Sequence, residues 1–104
     1  MKPLQKRIIR NTQKTIAATN TTISEAVYNG QRAVLVLKNI STAGEIISLA
    51  IGQEATNGFG LVLKQGETLT LAKDSGYNPA NQIINAIDNG AGTGVLSIYE
   101  EIEV

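Results

Sequence analysis

The sequence predicts an all-β protein: a single-domain antiparallel β-sandwich of about eight strands, jelly-roll-like, with an extended N-terminal arm. The 104 residues suffice for one domain with a core of its own. Short segments rich in Ile, Val and Leu are separated by Gly- and Asn-containing turns at intervals of roughly 8 to 13 residues, a spacing typical of a sandwich or barrel. The frequent Thr and Asn and the 10 glycines favour strands and turns over helices.

Alternation of apolar and polar residues places the strands. Leu69 and Leu71 alternate with threonines, and Leu96 and Ile98 alternate with polar neighbours. The run 33–37 is apolar at every position, which predicts a central strand covered on both faces, with a neighbouring subunit as one candidate cover. The predicted strands are residues 7–10, 15–18, 22–28, 33–39, 46–51, 60–63, 68–72, 82–87 and 95–101.

Turn residues punctuate these strands. Asn29-Gly30 and Gln65-Gly66 each stand between two strand segments and predict hairpins. The glycine-rich stretch 90–94 precedes a strand rather than a helix and contains no Lys, so it predicts a hairpin loop rather than a phosphate-binding loop. A short helix over 81–87, with Asn78 as its cap and Pro79 at its first position, is the alternative to the strand 82–87.

Charge is segregated along the chain, although the nine basic and nine acidic residues cancel. The sequence therefore divides into a basic N-terminal arm, residues 1–20, and a β-sandwich domain, residues 21–104. No long apolar segment follows the basic start, so a cleaved secretory signal is not expected. The arm's basic residues are Lys2, Lys6, Arg7, Arg10 and Lys14.

Apolar residues interleaved with these cations suggest that the arm is a strand added to a sheet edge, its own or a neighbour's. A free, solvated terminus is the alternative. The acidic end of the chain would either emerge into water or pair with the basic arm of a neighbouring copy. The expected partner contacts are Lys6, Arg7, Ile8, Ile9 and Arg10 in the arm, and Glu101 and Glu103 in the tail.

Composition argues against catalysis. The chain contains no His and no Cys, which supply the commonest general bases, nucleophiles and soft-metal ligands. The carboxylates of Glu45, Glu54, Asp74 and Asp88 have no spacing that forces any two together, and we expect them to be solvated loop charges. We therefore predict a non-enzymatic protein with no catalytic residue, cofactor or metal site.

From Arg32 to Glu100 the order of features resembles small β-sandwich proteins in virions of bacterial viruses, such as capsid decoration, vertex and tail-associated proteins. The shared order is an apolar strand ending in Asn39, an isoleucine-rich strand over 46–51, the Gly-x-x-Leu of Gly58–Leu61, and Gln65-Gly66-Glu67. The resemblance implies a structural protein that forms a homo-oligomer and docks on a larger shell. Its implied partners are itself and a major capsid or other virion protein, and its implied location is the virion, assembled in the host cytoplasm.

The alternative function is a small carbohydrate- or ligand-binding module. Such sites usually present exposed aromatic rings, and Phe59 and Tyr77 both fall in predicted loops. Nucleic-acid binding by the arm is not expected, because the arm has no aromatic residue on which a base could stack. No apolar stretch approaches the ~20 residues that a membrane helix needs, so a membrane protein is not expected.

Overall fold

Two four-stranded antiparallel sheets pack face to face in a computed structural model, which describes residues 7–24, 31–73 and 78–103. Sheet A has the strand order β1-β8-β3-β6 and sheet B has the order β2-β7-β4-β5. All consecutive strands except β4 and β5 lie in different sheets, which makes the fold a jelly roll, as predicted. The strands are β1 Arg7–Ile16, β2 Thr21–Ser24, β3 Gln31–Asn39, β4 Ile47–Ile51, β5 Leu61–Leu63, β6 Thr68–Ala72, β7 Ile84–Asp88 and β8 Gly94–Glu103.

The core lies between the sheets and is aliphatic. Leu35 and Leu37 of β3 face Ile47 and Leu49 of β4, and all four side chains are fully buried. The alternation read from the sequence places β6 at its predicted bounds and β3 at the centre of sheet A. The inner face of β3 is covered as expected, whereas its outer face is only half-buried.

Strand β1 differs from the two short strands predicted at 7–10 and 15–18. It is one strand of 10 residues, paired antiparallel to β8 from Arg7 opposite Glu103 to Ile16 opposite Gly94. Sequence propensity breaks at Asn11, but β8 offers a ladder partner along the whole length, and this tertiary pairing decides the conformation. Residues 7–16 of the expected arm thus form an edge strand of the chain's own sheet.

The segment before β7 contains a single 3₁₀ turn, Pro79–Asn81, and Asn78 makes no side-chain cap to it. The alternative helix over 81–87 is therefore wrong, because the residues from Ile84 onward pair with both β2 and β4. The predicted strands 22–28 and 82–87 correspond to Thr21–Ser24 and Ile84–Asp88. Residues 25–28, Asn29-Gly30 and Asp74 lie outside the described residues.

Asp88 is not the solvated loop charge that the sequence suggested. Its side chain is fully buried and accepts backbone N–H bonds from Gly90, Thr93 and Gly94 at 2.9 to 3.2 Å. This carboxylate therefore organises the glycine-rich β7–β8 loop from within, because it satisfies donors that the turn leaves unpaired.

Among the described residues, no helix is long and apolar enough to cross a membrane.

Candidate association surface

The predicted contact residues of the arm and the tail meet within one chain. Arg7 Nη1 lies 2.8 Å from Glu101 Oε1, so the arm–tail ion pair considered between neighbouring copies is made by a single copy. Glu103 is nearly buried and lies 2.7 Å from Nζ of Lys73, at the end of β6. Lys6 lies outside the described residues.

The other arm residues are exposed on β1. Ile8 is 50% exposed and Ile9 is 57% exposed, which is unusual for large aliphatic side chains in a strand. Arg10 lies opposite Glu100, but no ion pair between these two is present in the described part of the chain. Lys14 reaches across the sandwich and donates a 2.6 Å hydrogen bond to the carbonyl of Thr22 on β2. This bond ties β1 to the other sheet, while the residues from Arg7 to Gln13 stay open to solvent on both faces.

The outer face of sheet A carries a band of apolar side chains across three strands. Val36 lies opposite Tyr99, and Val34 lies opposite Glu101, which in turn lies opposite Ile9. All of these residues are exposed or half-buried. We call Ile9, Val34, Val36 and Tyr99 the sheet A patch. Sequence analysis identified only Ile9 of this patch as a contact, although the two-sided apolar run 33–37 signalled the valines.

The charge of Glu101, which lies between Val34 and Ile9 on the outer face, is compensated by neighbouring side chains. Glu101 accepts hydrogen bonds from Arg7 and, at 2.6 Å, from the hydroxyl of Tyr99. The hydrogen bond from Tyr99, followed by that from Arg7, holds the pKa of Glu101 below its ordinary value. The hydrogen bond to Glu101, then partial desolvation, raises the pKa of Tyr99, and the bond to Glu101 raises the pKa of Arg7. The patch therefore presents a carboxylate whose charge is compensated on its own surface.

The outer face of sheet B is covered by the chain itself. Residues 52–60, which connect β4 to β5, fold back over it and leave Ser48, Ala50 and Asn85 nearly inaccessible to solvent. Asn85 donates a 2.6 Å bond to the carbonyl of Gln53, and Ser48 Oγ accepts a 3.0 Å bond from the Gly58 N–H. We call residues 52–60 the covering loop.

Phe59 sits near the end of the covering loop and is 70% exposed, the highest exposure among the large apolar residues of the described chain. The backbone beside it is fixed: Phe59 N–H bonds the carbonyl of Thr56, and Gly60 passes directly against the carbonyl of Leu49. Tyr77, the other residue of the possible ligand loop, lies outside the described residues. The loop thus presents one aromatic ring on a restrained backbone.

A buried ion pair lies on the inner face of sheet A, near the start of β3 and the end of β8. Arg32 Nε lies 2.8 Å from Glu100 Oε2, with both side chains largely withdrawn from water. Arg32 also donates to the carbonyls of Ala80 and Gln82, and Ser24 contributes a 3.4 Å bond to the same carboxylate oxygen. Glu100 follows Leu96 and Ile98 at intervals of two residues, so alternation places it on their core face, but no sequence pattern identifies Arg32 as its partner. The pair joins β3 and β8 to the segment that enters β7.

The buried polar groups of this region serve the fold. Asp88 holds a loop, the Arg32–Glu100 pair joins three segments, and Asn39 bonds the carbonyls of Glu45 and Leu63 and the N–H of Ser41. The described residues contain no group of three or more His, Cys, Asp or Glu side chains arranged to hold a metal ion. No protein-family model matches the chain, and no curated protein is significantly similar to it in sequence.

Proposed function

We propose that this chain is a non-enzymatic structural protein that forms a homo-oligomer and docks on a larger shell through the outer face of sheet A. The shell that the sequence resemblance implies is a viral particle, on which the protein would serve as a capsid decoration, vertex or tail-associated component. Jelly rolls occur in viral capsid proteins, and also in lectins and cupins, so the fold is compatible with this role by analogy alone.

The observation that carries the proposal is the sheet A patch. An apolar band containing Val34, Val36 and Tyr99 crosses the middle of a sheet that has no cover from the described chain. Ile9 extends the band to the edge strand with more than half of its surface in water. Contiguous exposed apolar surface of this kind marks interaction sites in proteins that are otherwise well packed.

The dimensions of the sheet suit an interface. Four strands about 4.8 Å apart and up to 10 residues long span roughly 600 Å² of flat surface. A stable interface of ordinary size buries about 800 Å² on each partner, so this face supplies most of what is needed. Arg7 shares the outer face with Ile9 and adds basic character to its β1 side.

Point substitution is the appropriate test, because deletion of residues 2–14 would remove most of β1 and strip β8 of its ladder partner. Ile9→Lys places a charge in the exposed patch, and Ile40→Lys, at another exposed isoleucine outside it, is the matched control. We expect Ile9→Lys alone to reduce the assembly mass measured by sedimentation velocity, with both variants unfolding at the wild-type temperature. A wild-type chain that is monomeric at every concentration contradicts self-association. Unchanged assemblies of Ile9→Lys contradict the use of this face.

The shell has its own test. An antibody against this chain should detect it in purified virus particles, at a constant ratio to the major shell protein. Particles of the virus that encodes the chain, purified intact and free of it, would contradict the virion role but not self-association.

A second candidate function, binding of a carbohydrate or another small ligand, is favoured by Phe59 alone. An aromatic ring that is 70% exposed on a restrained backbone can stack on the apolar face of a sugar. A glycan array should then give a signal that is lost in Phe59→Ala and kept in Ile40→Ala. Absence of any signal from the wild-type chain removes this candidate.

A further inference from the structure

The two ends of sheet A are chemically different. Strand β1, at one edge, carries Arg7, Arg10 and Lys14 and no acidic residue. Strand β6, at the other edge, consists of Thr-Leu-Thr-Leu-Ala and has no charge. Natural sheets usually protect their edges with charged residues, bulges or Pro, because a free edge pairs readily with another strand. The edge at β1 is protected by its cations, and the edge at β6 is not.

We infer that β6 pairs antiparallel with β6 of a second copy, about a two-fold axis at Thr70, which joins the two A sheets into one sheet of eight strands. This inference rests on the homo-oligomer of the proposed function and adds a second contact to it, at the β6 edge of sheet A rather than on its outer face. It commits to one register, in which residue numbers on opposing strands sum to a constant, as an antiparallel two-fold pair requires.

The register follows from matching faces and charges. With Thr70 opposite Thr70 of the second copy, Leu69 lies opposite the second copy's Leu71, and Thr68 lies opposite its Ala72. Leucines then meet on the inner face, and threonines and Ala72 meet on the outer face. The next residue at each end places Glu67 opposite Lys73 of the second copy, twice by symmetry. Lys73 also pairs with Glu103 of its own chain, and opposite charges across strands stabilise pairing.

Other registers are worse. A shift of one residue would place the inner face of one copy on the outer side of the joined sheet. A shift of two residues puts a leucine opposite Glu67 or Lys73 and leaves one end of the strand unpaired. Two copies of β1 would bring together six cations, three from each strand, and β5 offers only three residues.

Partly exposed leucines at this side of the sandwich point to the same contact. Leu69 and Leu71 belong to the margin of the core and are not fully covered, and Leu61 of the adjacent β5 is 39% exposed. The β5–β6 connection is short, residues 64–67, so both edge strands lie on the same side. Pairing at β6 would shield these leucines and would also bond the backbone groups of the strand that face away from β3 and have no partner among the described residues.

Disulfide trapping tests the register directly, since the chain has no cysteine of its own. Opposed residues of an antiparallel pair have Cα atoms about 4.5–5.5 Å apart, within the range of a disulfide. We expect Thr70→Cys to give a covalent dimer on mild oxidation. The control, Thr68→Cys, should not crosslink alone, because two copies of residue 68 would lie about 13 Å apart. A mixture of Thr68→Cys with Ala72→Cys should crosslink between the two species.

Thr70→Lys provides a second readout, with Thr15→Lys on the exposed part of β1 as its control. We expect only Thr70→Lys to reduce the native mass measured by light scattering, by a factor of two if the dimer is the whole assembly, and both to unfold at the wild-type temperature. If the wild type is oligomeric, but Thr70→Cys does not crosslink and Thr70→Lys has wild-type mass, the β6 contact is wrong while self-association stands. A monomeric wild type with no crosslink overturns both.

Discussion

The two sheets of this jelly roll face solvent in different ways. The covering loop lies over the outer face of sheet B and hydrogen-bonds to its side chains, so that Ser48 and Asn85 are buried. The outer face of sheet A keeps Val34, Val36 and Tyr99 partly exposed and Ile9 largely exposed. Nine residues, 52–60, thus cover the outer face of one sheet, whereas no segment of the described chain covers the outer face of the other. This difference is what supports the proposal that a partner binds sheet A.

Sheet A is stabilised from its inner side, and the largest effect should come from there. Glu100→Ala removes the carboxylate that lies 2.8 Å from the buried guanidinium of Arg32, and we expect the free energy of unfolding to fall by about 3–5 kcal/mol. The adjacent Glu101→Ala removes an exposed ion pair and should change stability far less. Chemical denaturation of the two variants measures the contrast. Equal losses of unfolding free energy in the two variants would show that the inner and outer ion pairs of sheet A stabilise it alike, and would contradict this prediction.

The cover on sheet B depends on close approach at Gly60. A Cβ there would lie 2.5 Å from the carbonyl oxygen of Leu49, and φ is +78°. We expect Gly60→Ala to destabilise the fold by about 2–4 kcal/mol, from steric overlap together with backbone strain. Gly58→Ala, at nearly the same φ but with nothing within 4 Å, isolates the strain and should cost about 1 kcal/mol.

Protease sensitivity of residues 52–60 measures whether the covering loop still lies over sheet B. In Gly60→Ala, we expect the protease to cleave within residues 52–60 before it cleaves the rest of the chain. Loss of the cover would expose Ser48 and Ala50, so that the outer face of sheet B would be open to solvent like that of sheet A. Equal unfolding free energies of Gly60→Ala and Gly58→Ala would show that close contact between Gly60 and the Leu49 carbonyl of β4 does not matter for stability.

The smallest effect concerns the exposed cluster on sheet A. Tyr99→Phe removes the hydrogen bond that contributes most to lowering the pKa of Glu101, so this pKa should rise toward its ordinary value of 4.5 while Arg7 still holds it below. A lowered carboxyl pKa gives stability that is present above the ordinary value and is lost as pH falls through the lowered one. Tyr99→Phe should therefore remove part of this small contribution at neutral pH, where it is fully present, and none of it at a pH below the lowered pKa.

Carbon-detected NMR titration of the Glu101 carboxyl group measures this shift. The raised pKa of Tyr99 acts in the opposite direction: its contribution is present below the ordinary value of 10.0 and is lost as pH rises through the raised one. An unchanged Glu101 pKa in Tyr99→Phe would mean that Arg7 alone holds the carboxylate.

Local pattern was sufficient for much of the fold. The alternation at 68–72 predicted β6 at its bounds, and the apolar run at 33–37 predicted a central strand. Pattern failed where long-range pairing decides the conformation, as in β1, where partners 78 or more residues away in β8 extend the strand through Asn11. The Arg32–Glu100 pair, separated by 68 positions, and the burial of Asp88 depend on register and loop closure, which a single sequence does not reveal.

The residues of the candidate surface also divide into those that local pattern identified and those that only long-range pairing brings together. Ile8 and Ile9 were identified because aliphatic residues between cations are conspicuous in a sequence, and the structure places both in water. Val34, Val36 and Tyr99 join Ile9 only through the register of β1, β8 and β3. The covering loop is held by N–H bonds that Asn20 and Ser48 accept and by the bond that Asn85 donates, and no local pattern indicates these contacts.

The pairing of Arg7 with Glu103 has a mechanical consequence. Because β1 and β8 run antiparallel with these two residues opposite each other, tension applied between them pulls across the ladder at one end. Its hydrogen bonds would then open one after another, as in a zipper, rather than resist together in shear. A protein tethered at both of these positions would yield at low force, whereas a load that enters through the broad face of sheet A would be shared by all four strands.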